Sequence, residues 1–155
     1  MGAVALALYA AGAAAQPAPG ALLAPVSPTC VTSPYGPRPL AHDPLRDTFH
    51  YGIDLRARPG APVRAVAAGQ VIGIDRRGAG GLEVRVRHQG FTALYAHLGR
   101  LTPALLRGRR SLAAGETLGV VGYSGLTYGP HLYFELWIDG RRVDPAPYLG
   151  TPPCP

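Results

Sequence analysis

The stretch APVRAVAAGQVIGIDRRGAGGLEVRVRH, residues 61–88, alternates apolar and polar side chains on both sides of a glycine-rich segment. The apolar residues that precede this segment, residues 78–81, are Val71, Ile72 and Ile74, and those that follow it are Leu82, Val84 and Val86, interleaved with Glu83, Arg85 and Arg87. Successive side chains of a strand leave opposite faces, so the returning half has one apolar and one polar face. The pattern predicts a β-hairpin with one face in water.

The rest of the chain repeats this short-strand pattern. Its 155 residues include 21 glycines and 17 prolines, which separate short runs of branched and aromatic residues and are typical of many short strands. FTALYAHL (91–98) and HLYFELWI (131–138) predict two further strands. A short helix is expected only within TPALLRGRRSLAAGE (102–116). The length fits one domain, and the predicted fold class is all-β, mostly antiparallel.

Two segments of the chain echo one another. AAGQVIGI (67–74) and AAGETLGVV (113–121) both place small residues and a glycine before a strand. Such pairs occur in barrel-like β sandwiches built from two related hairpins. Lipoyl and biotinyl carrier domains share the pattern, but they need an acceptor lysine, and this chain has no lysine.

The N-terminal region divides into two parts. Residues 2–15, GAVALALYAAGAAA, form an apolar run that ends in small residues and predicts a secretory signal segment over residues 1–15, cleaved after Ala15. A positively charged start is missing, and the alternative is a buried or membrane-anchoring helix. Residues 16–29 contain four prolines and predict a Pro/Ala-rich linker, since proline fits neither a helix interior nor a central strand. The folded domain then spans residues 30–155.

Two cysteines flank this domain, Cys30 and Cys154. In an exported chain they predict a disulfide that ties the two ends together, whereas in the cytosol free thiols are expected. Two cysteines far from the histidines do not form a zinc knuckle.

The formal net charge is +6, and every basic residue is an arginine. This charge reflects either a compositional bias on a solvated surface or attraction to an anionic partner such as a cell envelope. Nucleic acid is not an expected partner, because the arginine pairs are scattered and no aromatic residues interleave with them. These pairs are Arg76-Arg77, Arg109-Arg110 and Arg141-Arg142.

The histidines are the main candidates for metal-binding and catalytic residues. His50 and Asp54 stand four residues apart in HYGIDL (50–55), and imidazole and carboxylate are suitable ligands for Zn²⁺. The same chain contains VTSPYGPR (31–38), LYAHL (94–98), SGLTYGPHLYFEL (124–136) and VDPAPYL (143–149) in this order. With this ordered set, residues 31–149 resemble the lysostaphin/LytM-type zinc metallopeptidases, which are cell-wall endopeptidases. The resemblance implies a mostly antiparallel β domain, a barrel-like sandwich with an open groove.

The resemblance also implies roles for individual residues. His50 and Asp54 match two zinc ligands, and His97 and His131 match the two catalytic histidines. Tyr133 occupies the third ligand position, where the family's H-x-H motif has its second histidine, so zinc binding is expected to be weakened or lost. Tyr133 could bind zinc as a tyrosinate, His131 could take its place as the third ligand, or Tyr133 could only stack in the groove wall. We assign His42 no role.

The resemblance implies an exported zinc metalloendopeptidase that acts on peptidoglycan peptide cross-links in the periplasm or cell envelope, without a membrane span after signal cleavage. The alternative is an inactive domain of the same fold that binds peptidoglycan or regulates a cell-wall amidase. A third possibility is a purely structural envelope domain. His88 and Asp144 are interpreted as turn residues.

Overall fold

The computed structural model describes residues 15–38, 49–76 and 78–155. The predicted signal segment up to residue 14, His42 and Arg77 lie outside these ranges. The strands are β1 (Val31–Ser33), β2 (Gly36–Pro37), β3 (Phe49–His50), β4 (Ile53–Arg56), β5 (Pro62–Arg64), β6 (Gly69–Asp75), β7 (Glu83–His88), β8 (Thr92–Ala96), β9 (Leu98–Leu101), β10 (Ser111–Leu112), β11 (Thr117–Val121), β12 (His131–Ile138) and β13 (Arg141–Val143). The helices are α1 (Pro103–Leu106) and α2 (Ala146–Leu149).

One large sheet carries most of the chain. Its strands run in the order β1-β4-β12-β8-β7-β6-β10, and β13 pairs with β12 at one end of that strand. A three-stranded sheet (β5-β11-β9) and a two-stranded sheet (β2-β3) complete the described part of the fold, and the pairs of named strands are antiparallel. The prediction of a mostly antiparallel all-β fold is confirmed. The sheets stay open and do not close into a barrel.

The hairpin predicted from residues 61–88 is β6 paired with β7. Val84 and Val86 of β7 are fully buried, while Arg85 and Arg87 are exposed on the opposite face. The same alternation continues into the core through the pairing of β7 with β8 and of β8 with β12. One face of the sheet is therefore the apolar core, and the other is free to form a groove.

The strand β12 shows the alternation most clearly. Leu132, Phe134 and Leu136 are fully buried in the core. The side chains between them, from His131 to Trp137, share the opposite face because strand side chains alternate with a period of two. The face opposite the core thus holds His131, Tyr133, Glu135 and Trp137 in a row, and we call it the groove face.

The two helices are short, as the composition requires. The helix α1 lies within the segment predicted to be helical and begins with Pro103 at its first position, where a missing N–H costs nothing. The helix α2 was not predicted, because its four residues are too few to show a helical period. Asp144, predicted as a turn residue, accepts a hydrogen bond from the Ala146 N–H at 3.0 Å.

The segment predicted as a linker over residues 16–29 packs on the domain. Leu22 and Val26 are buried in the core. The Leu23 N–H donates to the Val66 carbonyl at 3.0 Å, and the Pro25 carbonyl accepts from the backbone of the strand β5. Residues 22–26 are therefore an integral part of the domain rather than a free spacer. The prolines prevent a regular strand but do not prevent side-chain burial.

The two chain ends meet at the disulfide between Cys30 and Cys154. The Val31 N–H donates to the Pro152 carbonyl, and the Cys154 N–H donates to the Val31 carbonyl, both at 2.9 Å. The predicted pairing of the cysteines is confirmed. The described residues form no helix with the length and apolar character needed to cross a bilayer.

Candidate metal centre

The strand register brings the predicted site residues together. Asp54 on β4 and Ala96 on β8 both lie directly opposite Tyr133 on the central strand β12. His97 follows the last residue of β8, and His131 is the first residue of β12. Residues that are distant in sequence thus meet at one end of the groove face.

Gly52 allows this close approach. A Cβ atom at this position would clash with the carbonyl oxygen of Phe134 and would lie 2.9 Å from the ring of Tyr133. The glycine between His50 and Asp54 therefore lets the turn before β4 lie directly against β12. The sequence pattern had indicated this need for a small residue.

The three site histidines are held in the same way. Each Nδ1 lies within hydrogen-bond distance of a backbone carbonyl: His50 with Pro34 at 2.8 Å, His97 with Ser124 at 2.8 Å and His131 with Gly129 at 2.9 Å. A carbonyl can only accept, so each Nδ1 carries the proton, and in the neutral ring each Nε2 keeps its lone pair. Metal-binding histidines are fixed in this tautomer by such contacts.

Asp54 lies between two of these imidazoles. Its Oδ1 is 3.4 Å from Nε2 of His50 and 3.4 Å from Nε2 of His131, and its Oδ2 is 3.6 Å from Arg38. Burial opposes ionisation of this carboxyl, but its contacts with His50, His131 and Arg38 hold its pKa below the usual value. Asp54 is therefore a carboxylate at neutral pH, the form that binds metals.

His97 has a strained backbone. Its φ is 61°, in the left-handed region that residues other than glycine occupy only where surrounding contacts enforce it. Those contacts are present: its N–H donates to Gly80 at 2.9 Å, and its carbonyl accepts from Gly122 at 3.0 Å. Its ring packs edge-on against His131, with 4.7 Å between ring centroids. Burial lowers the pKa of His97, so the imidazole favours the neutral form.

Tyr133 does not point its hydroxyl at the other site residues. Its ring lies beside His50, with 5.3 Å between centroids, but its hydroxyl donates to Oε1 of Glu135 at 2.7 Å. Burial and the neighbouring carboxylate of Glu135 raise the pKa of Tyr133 well above its ordinary value, which disfavours the tyrosinate form. The residue in the third ligand position therefore offers a ring and not a metal-binding oxygen.

Glu135 is a site residue that sequence reasoning missed. It is 5% exposed, and its Oε2 accepts hydrogen bonds from Trp137 Nε1 at 2.8 Å and from Arg142 Nε at 3.1 Å. The alternation of HLYFELWI could have revealed it, because Glu135 shares a strand face with His131 and Tyr133. A carboxylate in a segment so apolar is a signal of buried polar contacts.

The side chains of His50, Asp54 and His131 approach the geometry of a zinc site without completing it. The described part of the chain contains no assembled group of three or more His, Cys, Asp or Glu side chains that could hold a metal ion. Yet zinc bonds of about 2.0–2.1 Å in a tetrahedron place two ligand atoms about 3.3–3.4 Å apart. The two 3.4 Å separations around Asp54 match that spacing, and the nitrogens present the required lone pairs. The donor types and these two separations suit zinc.

A comparison with models of protein families identifies the family of this chain. The model of peptidase family M23 matches residues 48–145, which contain all five predicted site residues. The chain belongs to peptidase family M23. The resemblance to lysostaphin/LytM-type peptidases, inferred from the sequence motifs, is thereby confirmed.

Relatives within family M23 include enzymes and an activator. Over 132 residues the chain is 39% identical to the DD-carboxypeptidase/endopeptidase Mpg of Neisseria meningitidis serogroup B, covering 83% of this chain and 29% of that protein. Over 100 residues it is 38% identical to the murein hydrolase activator EnvC of Escherichia coli, covering 64% of this chain and 23% of EnvC. The chain therefore spans less than a third of the length of either relative.

The solved catalytic domain of the antimicrobial peptidase lysostaphin from Staphylococcus simulans has a similar fold. The TM-score is 0.66 at 26% sequence identity, and the match covers 76% of this chain and 90% of that domain. The match therefore includes nearly the whole of that catalytic domain.

Proposed function

We propose that this chain is an exported zinc metalloendopeptidase domain that acts on peptide cross-links of peptidoglycan, with His50, Asp54 and His131 as the zinc ligands. The observation that carries the proposal is the pair of 3.4 Å separations between Asp54 Oδ1 and the two Nε2 atoms. In this proposal the third zinc ligand is His131, and not Tyr133, which the resemblance places in that position. The reason is the hydrogen bond that turns the Tyr133 hydroxyl toward Glu135.

His97 is then the remaining catalytic histidine. Bound Zn²⁺ would polarise the scissile carbonyl and lower the pKa of a bound water. With its Nδ1–H donated to Ser124, a neutral His97 presents Nε2 as a proton acceptor next to His131. It can take the proton of the attacking water and return it to the leaving amine, as a general base and then a general acid.

The substrate class and the location are inferred from relatives and from the disulfide. Mpg is named a carboxypeptidase and endopeptidase, and lysostaphin an antimicrobial peptidase, which supports peptide-bond hydrolysis as the reaction. The disulfide between Cys30 and Cys154 supports export, since such bonds persist in oxidising compartments. Peptidoglycan is the envelope polymer that contains peptide cross-links, and it is the expected partner.

The second candidate function is regulation without catalysis. The observation that favours it is the Tyr133–Glu135 hydrogen bond, which removes the side chain in the third ligand position from metal binding. EnvC, which is named an activator of murein hydrolases, provides the model for such a role. In this case the groove would bind peptidoglycan or a cell-wall amidase, and zinc would not be needed.

Hydrolysis of purified peptidoglycan separates these functions. We expect the zinc-supplemented wild-type chain to release new amino groups from peptidoglycan, and His97→Ala to lower that rate by about 10²–10⁴-fold, the usual contribution of a general base. The decisive comparison is Tyr133→His, which supplies the imidazole of the family motif. If the wild type releases no amino groups and Tyr133→His does, the enzyme proposal is wrong and the regulatory function stands.

A further inference from the structure

A pocket lies at the far end of the groove face from the metal centre. Its volume is about 480 Å³, and its lining includes Arg85, Arg87, His88, Phe91 and Trp137. We call it the arginine pocket. The hairpin turn between β7 and β8 and the turn between β12 and β13 form its walls.

The arginine pocket and the metal centre share one surface. His131, Tyr133, Glu135 and Trp137 follow each other on the same face of β12, and Leu94 of β8 lies opposite Glu135. At about 3.3 Å per residue, the six steps along the strand from His131 to Trp137 span about 20 Å. An extended peptide of about six residues that lies along β12 would therefore reach from the metal centre to the arginine pocket.

The charges in the pocket favour an anion. Arg85 and Arg87 are exposed, and neither forms an ion pair within the described residues. The guanidinium of Arg85 lies 5.9 Å from the centre of the Trp137 ring. Asp139, the acidic lining residue, accepts a hydrogen bond from Gln16 at 2.7 Å and keeps its charge, so the two arginines leave the lining with a net positive charge. Two guanidinium groups without an ion pair, beside a flat ring, form a suitable site for a carboxylate.

The imidazole of His88 is not part of the surface that a ligand in this pocket would contact. The residue borders the pocket, but it is only 6% exposed, and its ring stacks on Phe91 with 4.5 Å between centroids. Its Nδ1 contacts the Ala68 carbonyl at 2.9 Å, so Nε2 is an acceptor, and this buried atom has no hydrogen-bond partner in the described part of the chain. This atom is closed to solvent and lies on the core side of the strand β7 with Val84 and Val86, so a ligand beside Arg85 and Arg87 does not reach it.

We propose that the arginine pocket binds a free carboxylate of the peptidoglycan peptide through Arg85 and Arg87. The proposal rests on the proposed function, since it takes that peptide as the ligand of the groove. A peptide that ends in a carboxylate supplies the anion for Arg85 and Arg87. The pocket thereby selects the end of an extended peptide that lies farthest from the metal centre.

The test uses Trp137, the single tryptophan of the chain, as a fluorescent reporter. Peptide fragments released from purified peptidoglycan are titrated into the full chain in the presence of a chelator, so that binding is measured without hydrolysis. One sample keeps its carboxylates and a second has them converted to methylamides. We expect the acid fragments to change Trp137 fluorescence and to bind at least about tenfold more tightly than the amides, the effect of one charge-assisted hydrogen bond.

Matched variants locate the effect. Arg85→Gln with Arg87→Gln should abolish the preference for acid fragments. Arg100→Gln with Arg107→Gln removes the same charge from two exposed arginines outside the pocket and should retain the preference. Equal affinity for acid and amide fragments on the wild type overturns the proposal, and this comparison depends on no variant. Equal behaviour of the two double variants also overturns it.

The outcome is separable from that of the proposed function. A chain that prefers acid fragments but releases no amino groups from peptidoglycan retains the arginine pocket and loses the enzymatic proposal. A chain that hydrolyses peptidoglycan without preferring acid fragments retains the enzymatic proposal and loses the arginine pocket.

Discussion

Tyr133 and Glu135 define the site at the scale of single residues. The sequence predicts that position 133 faces the proposed metal centre, because it shares a strand face with His131. It does not predict where the hydroxyl points, since that depends on a buried carboxylate two residues further along β12. The contact at 2.7 Å is therefore information that only the structure supplies.

Replacing Glu135 by Gln tests the hydrogen bonds that the buried Glu135 carboxylate accepts. The carboxylate accepts from three donors, and the amide of glutamine would turn an N–H₂ group toward at least one of them. We expect Glu135→Gln to lower the free energy of unfolding by about 2–4 kcal/mol, the range for charge-assisted hydrogen bonds lost in a buried site. Urea unfolding measures it, with the more exposed Glu83→Gln as the control. A loss no larger than that of Glu83→Gln would contradict this role of the hydrogen bonds.

His88 makes the stability depend on pH. Burial lowers its pKa in the folded protein, so as pH falls through about 6.5 the unfolded chain takes up the proton first. The contribution of His88 is complete above that pH and is lost as the pH falls. We expect the unfolding free energy of the wild type to decrease more steeply between pH 7 and 5 than that of His88→Asn, which keeps a donor for Ala68 but cannot titrate. Identical slopes would show that His88 is not responsible.

At the scale of elements, the alternation of apolar and polar residues located most of the elements that the sequence could predict. The β6–β7 hairpin, the strands β8 and β12 and the helix α1 all lie where the sequence pattern indicated them. The helix α2 and the left-handed backbone of His97 were not predicted. The helix α2 is too short to show a helical period. The backbone of His97 depends on a contact between distant segments, the bond from its N–H to Gly80, which no local sequence pattern indicates.

The approach of β4 to β12 depends on Gly52. We expect Gly52→Ala to lower the unfolding free energy by about 2–4 kcal/mol, because the added methyl group would clash with the Phe134 carbonyl and the Tyr133 ring in a tightly packed region. Zinc affinity should fall with it, since Asp54 would be displaced from the two histidines. Gly73→Ala is the matched control, since its methyl group would have its nearest contact at 3.8 Å. Thermal unfolding compares them, and equal midpoints would refute the close approach.

At the scale of the whole molecule, both chain ends belong to the folded unit. The disulfide was predictable from two cysteines that flank the domain. The packing of residues 22–26 was not, because four prolines in a short segment resemble a linker and hide two buried side chains. Burial of Leu22 and Val26 depends on where the remainder of the domain provides an apolar surface.

Adjacent leucines test whether the N-terminal segment stabilises the domain. Leu22 is 6% exposed and Leu23 is 48% exposed. We expect Leu22→Ala to cost about 2–5 kcal/mol of unfolding free energy, as for other buried leucines, and Leu23→Ala to cost less than about 1 kcal/mol, as for surface positions. Chemical denaturation of the full chain compares the two. Similar small losses would mean that the segment is dispensable for stability.

The zinc content of the full chain after dialysis tests the central claim most directly. We predict about one zinc per chain for the wild type and for Tyr133→Phe, and less than half of that for His50→Ala and His131→Ala, because a three-ligand site loses its metal when one ligand is removed. A wild type without zinc would contradict the proposed metal centre. Retention of zinc by His131→Ala together with its loss from Tyr133→Phe would show that the tyrosine, and not the histidine, is the third ligand.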